Sequence, residues 1–551
     1  MACSKLKFLP KFKGKSECYL NTCFKALNKQ HPKIEMEILG TLLKKGISLK
    51  ESLEQQYTSP VDLQKQELRK LLILSRQTQF GKTHHFGDVL KSFKGLGIHD
   101  FYESFKNHVP VFDYEKLNQL WWERARRGEN DVCWPGKTKF YALSSGTSGA
   151  ASKYIPVTKD MLKSIRSTSI RQMMVMSRLN LPDDQFSKRI LMLGGSTNLK
   201  KSGTYFEGDL SGITTSHIPF WFQHFYKPGR KISKATNWEE KLNDITERAK
   251  DWDIGIICGV PAWLQILMEK IIDHYKVETI HDIWPNLKIF VHGGVSLEPY
   301  KKGFEQLLKT PLIYLETYLA SEGFIAFQAN PDNKSMRLVL NNGIFYEFVP
   351  FNENNFSEDG EIVDNPETYN IHQVEQHKEY ALLISTNAGA WRYLIGDVIK
   401  FISLENSELV ITGRTKHFLS LCGEHLSVDN MNKAVELVSQ DLNLAVKEFT
   451  VIGEPSGTLF AHNWYLGVDG VVDSLVVEKA LDDKLMMLND DYKVERGHAL
   501  KEIKMNILPS RVFYDWMKSQ GKEGGQSKFP RVLKKEKAAD WKNFLKSQNL
   551  I

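Results

Sequence analysis

The residues best suited to phosphate chemistry lie in Ser144-Ser145-Gly146-Thr147-Ser148-Gly149, with Lys153 shortly after. Glycine lets successive backbone N–H groups converge without a Cβ in the way, and such a concavity holds anionic oxygens. The hydroxyls of Ser144, Ser145, Thr147 and Ser148 and the ammonium of Lys153 add donors. A nucleotide held by its phosphates is the reading this turn favours. It is not a standard P-loop, which needs glycine directly before lysine and then Ser or Thr. Here Ser152 precedes Lys153 and Tyr154 follows it. Ordinary surface loops share this composition, so the turn alone leaves both readings open.

Other residues supply what an adenylating enzyme requires. Such an enzyme holds ATP, a carboxylate and usually Mg2+, neutralises charge and aligns the carboxylate with the α-phosphorus. Glu322 offers an oxygen ligand for Mg2+. Asp397 can accept hydrogen bonds from both ribose hydroxyls, and Tyr318 can stack on adenine. Lys528, in the loop Gly524-Gly525-Gln526-Ser527-Lys528-Phe529-Pro530-Arg531, can reach the carboxylate and α-phosphate oxygens if that loop closes. Each has a structural alternative: a helix first turn for Glu322, a turn contact for Asp397, a plain surface lysine for Lys528. His217, His292 and His417 lack metal-ligand spacing, which argues against zinc. The chain has no Gly-x-Ser-x-Gly elbow, so Ser145 is a poor covalent nucleophile.

The elements that must position these groups alternate between short apolar strands and helical runs. Strands are expected at Arg189–Leu193, Ile254–Cys258, Leu287–His292 and Ile313–Thr317, each followed by glycine or polar residues. Helical patterns cover Lys159–Leu179, a run from Pro261 and a run from Glu298. This is the pattern of an α/β domain with a largely parallel sheet, whose ligands sit beyond the carboxyl ends of its strands. Nearer the N-terminus, Phe24–Lys29 and Ile34–Lys45 read as helical, and Asp62 is placed to cap a helix running to Gln77. Residues 324–402 shift toward β character, with strands at 343–350 and 380–386. Composition changes again at 413–416. The expected division is a large α/β N-terminal domain over 1–412 and a small, mobile α+β C-terminal domain over 417–551.

The chain has 551 residues, 73 basic and 66 acidic, for a net charge of +7. That excess is slight for the length and does not suggest a nucleic-acid binder. The six cysteines are scattered, without a CxxC pair, as expected of reduced thiols in the cytoplasm. No apolar run reaches the ~18 residues of a membrane span. The basic N-terminus lacks the apolar stretch of a signal peptide.

Four ordered segments together resemble the acyl-acid amido synthetases of the Gretchen Hagen family. They are Ser144–Ser148 with Lys153, Tyr318-Leu319-Ala320-Ser321-Glu322, Trp391-Arg392-Tyr393-Leu394-Ile395-Gly396-Asp397, and Gly413-Arg414-Thr415-Lys416. That family lies in the acyl-adenylate-forming superfamily, which includes firefly luciferase. The resemblance implies two half-reactions. A carboxylic acid and ATP give an acyl-adenylate and pyrophosphate; an amine, commonly that of an amino acid, then displaces AMP to form an amide. It further implies that Ser144, Ser145, Gly146, Thr147, Ser148 and Lys153 hold phosphate, and that Tyr318, Ser321, Tyr393, Asp397 and Arg414 contribute to the nucleotide site. Glu322 would be the metal-associated and catalytic carboxylate, Arg392 and Lys528 further catalytic residues, and Lys416 the hinge.

Plant members resemble Tyr-Arg-Tyr-Arg-Val-Gly-Asp in the ribose segment. This chain starts it with Trp391 and has Leu394 where they carry a cation, which fits a distant member from outside plants. The acid pocket is expected from 165–175, 214–226 and 290–296, whose aromatic content favours an apolar or aromatic acid. Transfer to a thiol, of coenzyme A or a carrier protein, is an alternative second step. A non-catalytic nucleotide-binding regulatory protein is the alternative outside enzymes.

Overall fold

The computed structural model describes residues from Ser59 onward except 94–97, 145–152, 177–178, 180, 295–296, 358–359, 416–417, 420–425, 457–458, 490–491, 494–495, 497–499, 523–528 and 534. The helical readings before Ser59 therefore lie outside the described residues.

Ten helices of nine residues or more are numbered here: α1 (Pro60–Ser75), α2 (Ile98–His108), α3 (Lys159–Met176), α4 (Trp238–Glu247), α5 (Pro261–Tyr275), α6 (Glu298–Gln306), α7 (Val428–Asp441), α8 (Ser474–Leu488), α9 (Arg511–Ser519) and α10 (Lys535–Ser547). The cap of α1 is Ser59, not Asp62: its hydroxyl accepts from the Asp62 N–H at 3.1 Å, and Pro60 fills the first turn. Proline suits that position because its missing N–H would have no partner there anyway. Thr158 caps α3 in the same way, accepting from the Met161 N–H at 3.1 Å.

The strands run β1 (Phe140–Ser144), β2 (Lys153–Val157), β3 (Arg189–Leu193), β4 (Lys200–Ser202), β5 (Tyr205–Gly208), β6 (Tyr226–Lys227) and β7 (Ile254–Gly259). They continue with β8 (Ile289–Gly293), β9 (Ile313–Ala320), β10 (Gly323–Phe327), β11 (Met336–Leu338), β12 (Ile344–Pro350), β13 (Glu379–Thr386), β14 (Tyr393–Ser403) and β15 (Glu408–Arg414). The last are β16 (Phe418–Leu419), β17 (Leu426–Ser427), β18 (Val446–Ser456), β19 (Leu459–Val468) and β20 (Leu500–Leu508).

Eleven strands form one sheet in the order β12-β13-β14-β15-β11-β10-β9-β8-β7-β3-β6. Only the β9-β8-β7-β3-β6 half is parallel. From β9 onward neighbouring strands pair antiparallel. The expectation of a largely parallel sheet thus holds for one half only. Helical crossovers feed the parallel half, whereas hairpins such as β9–β10 and β13–β14 build the other. Strand β9 is the seam between them.

A four-stranded sheet, β2-β1-β5-β4, carries Ser144 and Lys153 opposite each other across β1 and β2. The C-terminal region is built on β18-β19-β20. One face of that sheet packs on α7 and α8. From the other, Ile452 and Tyr465 join α9 and α10 in a core shared with α4, α5 and α6.

Candidate functional site

Strand β9 carries Tyr318 to the seam and turns at Ser321–Glu322 into β10. Glu322 therefore sits in a hairpin turn, not in a helix. Strands β14 and β15 pair so that Asp397 faces Arg414. The Tyr318 hydroxyl donates to Asp397 Oδ2 at 2.5 Å. Arg414 Nε lies 3.0 Å from Asp397 Oδ1, and its Nη2 donates to the Ile395 carbonyl at 3.0 Å. Gly396 makes that carbonyl reachable. Its φ is +89°, a backbone conformation that side-chain-bearing residues rarely adopt. Asp397 is thus fixed from both sides, with its remaining lone pairs free to accept from a ligand.

Glu322 is buried. Burial lifts its carboxyl above the ordinary range, Lys153 opposes that shift, and Asp397 adds to it. These influences place Lys153 and Asp397 within electrostatic reach of one carboxylate. Lys153 also lies over the Tyr114 ring, 5.2 Å from its centroid. The Tyr393 phenol ends buried beside Glu322, and burial together with that carboxylate pushes it up. Tyr318, Glu322, Asp397, Arg414, Tyr393 and Lys153 therefore converge, and Ser144 and Ser321 flank them in sequence. Ser145, Gly146, Thr147, Ser148, Lys416 and Lys528 lie outside the described residues. Beyond Lys528, the chain at Phe529–Leu533 is tied down. Val451 N–H donates to the Arg531 carbonyl at 2.9 Å and Leu533 N–H to the Val451 carbonyl at 3.0 Å.

Arg392, expected to be catalytic, is held by protein groups. Its Nε donates to both oxygens of Glu347, at 2.9 and 3.1 Å. Nη1 donates to the Val109 carbonyl at 2.8 Å and Nη2 to Thr368 Oγ1 at 3.0 Å. With every guanidinium nitrogen engaged in a buried network, Arg392 joins the segment after α2 to the antiparallel half of the sheet. Those contacts hold it in the fold.

Two residues escaped the sequence reading. Glu347 is the buried partner of Arg392, and no local pattern announces a contact across 45 positions. Glu316 lies two residues before Tyr318, on the same face of β9, where period-two alternation would have found it. Burial, with Glu298 adding to it, pushes the Glu316 carboxyl up to about 7.

A lone buried carboxylate suits Mg2+, which takes one or two protein oxygens and completes its shell with water and substrate phosphates. A cation there would also favour the ionised form that burial disfavours in Glu322.

The GH3 family N-terminal domain model matches residues 49–232 and 197–312. The family's central domain model matches 337–414 and its C-terminal domain model 429–537. The chain belongs to the GH3 family. It is 23% identical over 476 residues to the indole-3-acetic acid-amido synthetase GH3.2 of Arabidopsis thaliana, covering 73% of this chain and 83% of that protein. It is 26% identical over 553 residues to the jasmonoyl–L-amino acid synthetase GH3.5 of Oryza sativa, covering 86% and 92%. Among solved structures, the GH3.15 acyl acid amido synthetase in complex with 2,4-DB superposes with a TM-score of 0.73 at 17% identity, covering 99% and 98%. A 2-hydroxyisobutyryl-CoA ligase in its postadenylation state gives 0.56 at 11% identity, covering 89% and 91%. The chain shares its fold with these two structures. Among the described residues no helix is long and apolar enough to cross a membrane.

Proposed function

We propose that this GH3 protein is an ATP-dependent acid–amino acid ligase. In the first step a carboxylate oxygen attacks the α-phosphorus of ATP and pyrophosphate leaves. In the second, the nitrogen of an amino acid or other amine attacks the acyl carbonyl. The C–N bond forms, AMP departs with the electron pair of the broken C–O bond, and the nitrogen loses a proton.

The observation that carries this reading is the convergence of Tyr318, Asp397 and Arg414 beside buried Glu322, in a family whose named relatives are acid–amino acid ligases. Asp397, oriented by Tyr318 and Arg414, accepts from the ribose hydroxyls, and the Tyr318 ring flanks the adenine. The glycine- and hydroxyl-rich segment between Ser144 and Lys153 would receive the β- and γ-phosphates. Glu322 would hold Mg2+, and that ion would screen the phosphate charge. Lys528 would meet the α-phosphate oxygens. ATP as substrate and scattered cysteines suit a cytoplasmic setting.

The test supplies ATP, Mg2+ and panels of acids and amines, and follows acid-dependent pyrophosphate release and product mass. An amide product is expected. A thioester formed in the presence of coenzyme A, with no amide, overturns the second step. No pyrophosphate release with any acid overturns the first.

A further inference from the structure

Lys153 and Asp397 stand on different sheets. Lys153 opens β2 of the four-stranded sheet, whereas Asp397 lies in β14 of the eleven-stranded one. Their separation depends on what joins the sheets near the site, and residues 112–114 are one such tie. The segment runs beside the start of β14. Phe112 N–H donates to the Arg392 carbonyl at 2.9 Å, and Leu394 N–H donates to the Phe112 carbonyl at 2.8 Å. Asp113 then caps a short helix (Tyr114–Leu117), its Oδ1 accepting from the Lys116 N–H at 2.8 Å, which fixes where Tyr114 leaves the chain.

Tyr114 meets β2 through both its hydroxyl and its ring. The hydroxyl accepts from the Tyr154 N–H at 2.8 Å. Strand β2 lies at the edge of its sheet with β1 on its other side, so this hydroxyl stands in for a neighbouring strand. The ring lies under Lys153, whose Nζ is 5.2 Å from the centroid. Successive side chains point to opposite faces of a strand. Tyr154 is held on the other face by the Arg126 guanidinium, 4.5 Å from its ring centroid. Toward β14, the Trp122 ring lies 6.0 Å from that of Tyr114 and 5.5 Å from that of Tyr393, which ends beside Glu322. Tyr114 therefore connects the strand that carries Lys153 with the strand that carries Tyr393 and Asp397.

We propose that Tyr114 is a positioning residue: it holds the Lys153 ammonium where the outer phosphates of ATP would lie, and acts through that lysine, not on the reacting atoms. This rests on the proposed ligase reading. A carboxylate in place of the ring would pair with the ammonium and compete with phosphate for it. An aromatic ring attracts the cation through its negative face and brings no net charge. Burial pushes the Tyr114 phenol up, so it stays neutral beside Lys153. A lysine held this way loses less side-chain freedom when phosphate binds, which strengthens binding without a new contact.

The experiment compares wild type with Tyr114→Phe, Tyr114→Leu, Lys153→Ala and the variant carrying both Lys153→Ala and Tyr114→Leu. Binding of ATP and of AMP is read by calorimetry in the absence of acid, and adenylation by acid-dependent pyrophosphate release. Tyr114→Leu removes ring and hydroxyl and is expected to weaken ATP binding about 10-fold. AMP, which has no outer phosphates, is expected to stay within about 2-fold. Tyr114→Phe keeps the ring under Lys153 and loses only the hydroxyl, for an expected loss of about 3-fold in ATP binding. In the Lys153→Ala background, Tyr114→Leu is expected to add less than about 2-fold, because the group it acts through is gone. A general loosening of the fold would instead weaken both nucleotides and add to the effect of Lys153→Ala. Equal weakening of ATP and AMP, or additive losses in the double variant, overturns the inference. Where Tyr114→Leu fails to fold, an ATP-over-AMP preference unchanged in Tyr114→Phe overturns it as well. Selective loss of ATP binding, with no pyrophosphate released by wild type with any acid, keeps Tyr114 in this role and removes the ligase reading. Pyrophosphate release by wild type, with an ATP preference indifferent to Tyr114, does the reverse.

Discussion

Glu347→Gln separates a structural Arg392 from a catalytic one. The substitution keeps the shape of residue 347 and removes its charge. Arg392 would keep its bonds to the Val109 carbonyl and Thr368 but lose the carboxylate that Nε meets at 2.9 and 3.1 Å. The two side chains are 6% and 0% exposed, so water cannot replace the lost partner. Tyr102, whose hydroxyl lies 3.1 Å from Glu347 Oε1, loses a charged acceptor as well. Breaking a buried pair from one side is unfavourable by about 3–5 kcal/mol, because the remaining cation stays uncompensated. The variant is therefore expected to unfold at markedly lower urea concentration, while the protein still folded keeps the wild-type KM for ATP and kcat. Replacing both partners, as Glu347→Leu with Arg392→Met, should recover much of the loss, since no charge is then left unpaired. A Glu347→Gln protein as stable as wild type but slowed about 100-fold in adenylation, the scale of a lost transition-state contact, would refute the structural assignment.

Three further outcomes follow from the site. Asp397→Ala should raise the KM for ATP with a smaller effect on kcat, and unchanged ATP affinity would remove the ribose assignment. Lys528→Ala should impair adenylation far more than ATP binding, read by single-turnover pyrophosphate release against equilibrium binding; an equal loss of both points to a ground-state role instead. Glu316 predicts a pH effect on stability. Its carboxyl is held protonated to about 7 when folded, against an ordinary value of 4.5. The unfolded chain thus releases its proton first, and stability falls as pH rises across that interval. At 1.36 kcal/mol per pH unit the full effect is about 3 kcal/mol, reduced because the side chain is partly open to solvent. Glu316→Gln should flatten that slope and melt higher than wild type above pH 7; a slope that persists removes Glu316 as its source.

Much of the parallel half was legible because its strands are short apolar runs with abrupt ends. Arg189–Leu193 was read with its observed bounds, and the starts of the helices at Pro261 and Glu298 follow from proline and the run of apolar residues after it. Strand β2 contains Pro156, a residue that argues against a strand when only the sequence is in hand. The structure makes β2 an edge strand, where the missing N–H removes no bond inside the sheet. The antiparallel half was read as β but not as part of the same sheet, because that junction depends on β9 pairing differently on its two sides. Within the site, short motifs named Tyr318, Glu322 and Asp397. Only strand pairing shows that Arg414 holds Asp397, and only the tertiary contact with Glu347 gives Arg392 its structural place.

The aromatic core beneath α9 and α10 belongs to two parts of the chain at once. Trp516, Phe529 and Trp541 cluster with Phe513, and Trp263 of α5 meets Tyr514 at a centroid distance of 6.0 Å. Tyr300 of α6 donates to Glu448 of β18 at 3.1 Å, and Glu448 in turn pairs with Arg531. Neither part can be excised without baring apolar surface and orphaning an ion pair. In this arrangement heat should melt the two together, as one cooperative transition in a calorimetric scan.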